Sequence, residues 1–96
     1  MSDSPTSTTI DDLRGRIDRI DAELARLLEH RALLAARVQR LKPVGGFAGR
    51  DPRRERELVA AMAAHAPRLG EERLARIMAA VIETGLDAAE AETART

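Results

Sequence analysis

Ninety-six residues carrying sixteen basic and sixteen acidic side chains make one charge-balanced domain. Zero net charge removes the electrostatic drive toward nucleic acid or an anionic membrane, and the absence of cysteine removes disulfides and thiolate metal sites. With one Phe and no Trp or Tyr, the core has only Leu, Ile, Val, Met and Ala to draw on. A chain this short buries a limited fraction of its surface unless it associates.

Residues 1–9 are rich in Ser and Thr and lack an apolar stretch, so they read as a disordered tail rather than a signal peptide or membrane anchor. A cytoplasmic location with no membrane contact is the expectation. A first helix is predicted to start at Thr9, whose hydroxyl caps while Asp12 follows three residues later in a capping-box-like arrangement. It runs to about Leu41 or Lys42, where Pro43 forbids continuation. Leu13, Ile17, Ile20, Leu24 and Leu27 recur at spacings of four and three, and the series resumes at Leu34, Val38 and Leu41. That is the seam of a helix packed along its whole length. About thirty residues at 1.5 Å each span roughly 45 Å, whereas a compact monomer of this size has a radius of gyration of about 12–13 Å. The helix therefore calls for a partner helix, and a second copy of the chain is the simplest source.

Arg31 takes the seam position after Leu27. A guanidinium there must be paired, and a helix without a functional need would carry Leu. Lys42, eleven residues on, lies about 20° round the same face and about 16 Å along the axis. A small dianionic ligand would satisfy both cations. Arg14, seventeen residues before Arg31, points about 100° away and cannot serve that site within one straight helix; it could serve one in a partner subunit, and taken on its own it reads as an ordinary surface arginine.

The segment from Pro43 to Arg50 reads as a loop on its glycines and proline. Asp51-Pro52 then gives an N-cap followed by Pro at the first helical position. This second helix turns Leu58, Val59 and Met62 inward and frays from His65 to Pro67. Asp51 and Glu55 share a face continuing into Val59 and Met62, and Arg54 shares one with Leu58, so two carboxylates and a guanidinium face the core side. Arg50, Arg53, Arg56 and Glu57 read as ordinary solvated pairs of a helix end. Gly70 precedes a third helix with Leu74, Ile77, Met78, Val81, Ile82 and Leu86 on its apolar face, and residues 91–96 read as a polar, loose tail. The expected fold is all-α, three helices in residues 10–90, one long and two shorter.

His30 and His65 have no second ligand at metal spacing, and no glycine-rich phosphate loop, Ser–His–Asp order or thiol exists. Neither a metal nor a cofactor is expected. A helix-turn-helix DNA reader is disfavoured because the arginines near residue 50 are interleaved with acids.

The run Leu13-Arg14, Ile17-Asp18, Ile20-Asp21, Leu27-Leu28, Arg31, Leu34-Ala35, Val38, Lys42 and Asp51-Pro52-Arg53-Arg54-Glu55 resembles the all-helical chorismate mutases. The likeness covers about residues 10–90 and is most specific in the first two helices; in the third, only the apolar pattern from Ile77 to Leu86 carries it. The resemblance implies an intertwined homodimer whose two sites draw on both chains and rearrange chorismate to prephenate. Arg31 would then grip one substrate carboxylate and Arg14 of the other chain the second. Lys42 would reach the ether oxygen and a carboxylate, Asp51 and Glu55 would hold the ring hydroxyl, and Arg54 would support the carboxylate end. Such a rearrangement needs no nucleophile, acid–base relay or cofactor. It needs a flexible dianion clamped in a reactive conformer and positive charge aimed at the oxygen that gains charge as C–O breaks.

The third helix departs from the family pattern, with Gly85 and Ala89 where a hydroxyl residue and a Gln or Glu are usual. That leaves a weak mutase, one completed by another group or by an activating partner enzyme, or one adapted to a related substrate. 4-Amino-4-deoxychorismate is such a substrate, since Asp51 and Glu55 suit an ammonium at least as well as a hydroxyl. Isochorismate–pyruvate lyases of the family have a shorter connection after the lysine and rank lower. A helical dimerisation or regulatory module without turnover fits the heptads but not Arg31 and Lys42 in the seam.

Overall fold

A computed structural model of the chain describes residues 8–41 and 50–95. They form three α-helices, α1 (Ile10–Leu41), α2 (Pro52–Ala63) and α3 (Gly70–Arg95), with no strand among the described residues. No helix of the described residues is long and apolar enough to cross a membrane. The chain divides into two units, residues 1–30 and 31–96.

In the first unit the helix start forms as the cap residues dictate. The Asp12 amide donates to the Thr9 hydroxyl oxygen at 3.1 Å, and the Thr9 amide donates to Asp12 Oδ2 at 3.2 Å, so two otherwise orphaned donors are satisfied reciprocally. Asp11 and Asp12 in the first turn also oppose the positive end of the helix dipole. The seam is present but bare: Leu13, Ile17, Ile20, Leu24 and Leu27 are all exposed, Ile20 at 65%. Helices of this kind draw most of their stability from packing an apolar face, so this stretch depends on a cover it does not receive within its own unit.

The second unit contains the last turns of α1 together with α2 and α3. Asp51 adopts an extended conformation (φ −120°, ψ 97°) and its Oδ1 accepts from the Arg54 amide at 3.2 Å, with Pro52 opening α2. α2 ends at Ala63, and a turn leads to Gly70, which opens α3 at φ +79° and donates its amide to the Ala66 carbonyl at 3.0 Å. A side chain is strained at that φ, which is why glycine sits there. Val59, Leu74 and Met78 form the core, with Leu58, Met62, Ala63, Ala66 and Val81 packed round it. An exposed ion pair at 3.5 Å joins Arg40, in the last turn of α1, to Glu92 on α3.

Two expectations are corrected here. Ile77 is 47% exposed instead of buried, because the contact with α2 covers the narrow stripe of Leu74, Met78 and Val81, and Ile77 lies about 100° round the helix from Met78. The backbone beyond residue 90 is helical through Arg95. α3 continues that far because Ala88, Ala89, Ala91 and Ala94 are strong helix formers and nothing in the run breaks the helix. Residues 1–7 of the expected tail, the loop over 43–49 and Lys42 lie outside the described residues.

Candidate active site

Within residues 31–96 a cavity of about 410 Å³ opens between the end of α1, the start of α2 and the middle of α3. It falls within the roughly 300–1,000 Å³ of small-ligand pockets. Leu34, Ala35 and Val38 of α1, Leu58 of α2 and Ile82 and Leu86 of α3 supply its apolar wall. The polar wall holds Arg31 and Gln39 from α1, Arg50 and Asp51 from the approach to α2, and Arg54 and Glu55 from its first turn. Arginines outnumber carboxylates three to two.

The local reasons are legible. Leu34, Ala35 and Val38 follow Arg31 at spacings of three, four and seven, so one face of α1 carries the cation and its apolar neighbours together. Asp51 is held by its capping bond, which fixes the entry to α2 and thereby the directions of Arg54 and Glu55 one turn on.

Glu55 does not stand free. The Arg50 guanidinium grips it with two bonds, Nη2 to Oε1 at 2.7 Å and Nε to Oε2 at 3.0 Å. That fork holds the Glu55 carboxyl below its usual range, chiefly through the hydrogen bonding from Arg50; burial and the nearby Asp51 act the other way. The same bond raises the Arg50 pKa, with Glu83 adding to it. Glu55 is therefore an anion at neutral pH, an acceptor for a ligand hydroxyl and not a proton donor. Arg31 and Arg54 have no carboxylate at ion-pair distance among the described residues. Two uncommitted guanidinia facing one amphipathic cavity make a receptor for a small anion with an apolar ring.

Arg31, Asp51, Arg54 and Glu55 are thus brought together as candidate site residues. Lys42 lies outside the described residues. Arg14 lies exposed on α1 in the first unit. Gly85 and Ala89 are buried on α3 but do not line the cavity; Ile82 and Leu86 do. The hydroxyl next to Gly85 does not substitute, since Thr84 Oγ1 donates back to its own helix at Ala80 O, 2.8 Å away.

Sequence reasoning passed over two lining residues. Arg50, read as a surface charge, is corrected to a clamp on Glu55; it precedes the helix, so helical pair spacing did not connect the two. Arg53, by contrast, makes the exposed i,i+4 pair with Glu57 that was expected. Gln39 sits about 80° round α1 from Arg31, at the edge of the seam, where a polar residue is ordinarily solvated.

No curated protein and no solved structure matches the chain. The family model described as chorismate mutase type II matches residues 13–90, which covers α2, most of α1 and α3, and every lining residue of the cavity. The chain belongs to the all-helical, type II chorismate mutase family.

Proposed function

We propose that the chain rearranges chorismate to prephenate, as an intertwined homodimer. The observation that carries this reading is one cavity lined both by Arg31 and Arg54, free of carboxylate partners among the described residues, and by Asp51, an ionised Glu55 and an apolar wall. In the rearrangement one C–O bond breaks as one C–C bond forms within the same molecule, so no atom or electron is exchanged with the protein. The site has to fold a flexible dianion into its reactive conformer and stabilise the oxygen that becomes negative. Arg31 takes one carboxylate, with Arg54 supporting that end. Asp51 and Glu55 accept from the ring hydroxyl, and Lys42 serves the ether oxygen and a carboxylate. Arg14 of the second chain takes the other carboxylate. The bare seam from Leu13 to Leu27 supports the second copy as its cover, since a partner α1 has the length and the matching apolar series to bury it.

A hydroxyl suits the acceptor pair better than an ammonium, because the Arg50 fork already occupies both Glu55 oxygens with positive charge. 4-Amino-4-deoxychorismate is therefore the second reading. The test is an assay following loss of chorismate, with the product identified and the 4-amino analogue run in parallel. Prephenate formation at a kcat/KM above that for the analogue is the expected result; inertness toward chorismate would sink the reading.

A further inference from the structure

On the rearrangement reading, on which this inference rests, Asp51 and Glu55 accept from the substituent that the substrate ring carries opposite its carboxylate end. Two bare carboxylates would suit an ammonium in that place at least as well as a hydroxyl. Arg50 changes the balance. It lies outside α2, lines the cavity, and holds Glu55 by both oxygens, Nη2 to Oε1 at 2.7 Å and Nε to Oε2 at 3.0 Å. The counter-charge of Glu55 is thus supplied by the chain before any ligand enters. Each oxygen of an ionised carboxylate has a second lone pair, so the gripped group still accepts from a hydroxyl, which is neutral and needs no more than an acceptor. An ammonium needs net negative charge, and at Glu55 it meets a guanidinium that already shares the carboxylate. Asp51 gives only partial relief, because its Oδ1 accepts from the Arg54 amide at the positive end of α2.

The charge of the whole lining agrees. Arg31, Arg50 and Arg54 stand against Asp51 and Glu55, three cations to two anions, which matches a dianion better than a substrate whose ammonium cancels one carboxylate. Without Arg50 the count is two to two, and Glu55 has no other cation at ion-pair distance among the described residues. We propose that Arg50 is the specificity-determining residue of the cavity: by serving as the counter-ion of Glu55 it admits a ring hydroxyl and turns away an ammonium. It is a positioning residue, acting on the substrate through Glu55.

The experiment measures kcat/KM on chorismate and on 4-amino-4-deoxychorismate for wild type, Arg50→Met, Arg50→Lys and the double variant Arg50→Met/Glu55→Gln. Both substrates are run on one preparation of each, so the fraction of folded protein cancels from the ratio. Wild type should prefer chorismate, and Arg50→Met should move the ratio toward the amino analogue by about 10- to 100-fold. Arg50→Lys keeps the charge without the fork and should stay near the wild-type ratio. The double variant leaves no anion at position 55 for the ammonium and should lose the shift. An active wild type whose ratio is unchanged in Arg50→Met overturns this inference and leaves the proposed function standing. So does an equal fall on both substrates, which makes Arg50 a prop for the site, or a shift that persists in the double variant, which removes Glu55 from the effect. A wild type inert toward chorismate overturns both.

Discussion

The two halves of α1 carry the same apolar rhythm in different surroundings. From Ile10 to His30 every residue except Gly15 is exposed, the seam leucines and isoleucines included. From Arg31 onward the chain has a core of its own at Val59, Leu74 and Met78 and a cavity whose apolar wall is shared by three helices. Periodicity thus states that a face will be covered, not by what. In the second unit α2 and α3 supply the cover. In the first the cover has to come from outside the unit, and the proposed second chain is where the two regions meet functionally, through Arg14.

The largest effect should come from the cavity. Arg31→Ala should lower kcat/KM for chorismate by 10³-fold or more, about 4 kcal/mol of transition-state stabilisation, while far-UV circular dichroism stays near wild type. Near-normal turnover would reduce Arg31 to a packing residue and leave the second unit without a demonstrated anion receptor.

The comparison sharpens next through one apolar substitution in each region. Met78→Ala empties part of a core that is complete within the chain and should cost about 2–4 kcal/mol in denaturant unfolding, at any protein concentration. Leu24→Glu should instead act through association, giving a species of about 10.5 kDa in sedimentation and removing the concentration dependence of stability expected of the wild-type dimer. If Leu24→Glu leaves both the mass and the concentration dependence of wild type unaltered, the first unit has some other cover and the dimer proposal fails.

A smaller effect concerns the Arg50 fork. Glu55 has its pKa depressed in the folded chain, so what its ionised form contributes is present above the unfolded value and lost as the pH falls through the folded one. Activity should therefore hold from neutral pH to below the ordinary carboxylate value. In Arg50→Met the acid limb of kcat/KM should move up toward about pH 4.3, the unperturbed glutamate value. A limb that does not move would mean that Glu55 protonation does not control turnover.

The smallest expected change is at Gly85. A Cβ built there meets nothing within 4 Å, so Gly85→Ala should stabilise α3 by roughly 0.5–1 kcal/mol through helix propensity alone. A loss of stability would reveal a neighbour supplied by the second chain. A stable protein with raised KM would place the substrate against that glycine.

Local chemistry made the elements readable. Thr9 and Asp12 start α1, Asp51 and Pro52 start α2, and Gly70 opens α3, because caps and φ preferences act within a few residues of chain and need no knowledge of the rest. Helical spacing likewise put Arg31 on the apolar seam of α1 and Asp51, Arg54 and Glu55 on the core side of α2, whereas joining the two sets into one site rested on the resemblance to the family. Where contact across elements decides, the sequence carried no signal. The grip of Arg50 on Glu55 joins a residue outside α2 to one inside it. The exposure of Ile77 depends on how narrow a stripe of α3 the α2 helix covers. The cavity lining of Ile82 and Leu86, in place of Gly85 and Ala89, depends on the rotation of α3 about its own axis. The side-chain oxygen of Gln39 is buried without a hydrogen-bond partner among the described residues only once the surrounding side chains have excluded water from it. Burial and hydrogen-bond satisfaction are properties of packed surroundings, and those are made when separate helices meet.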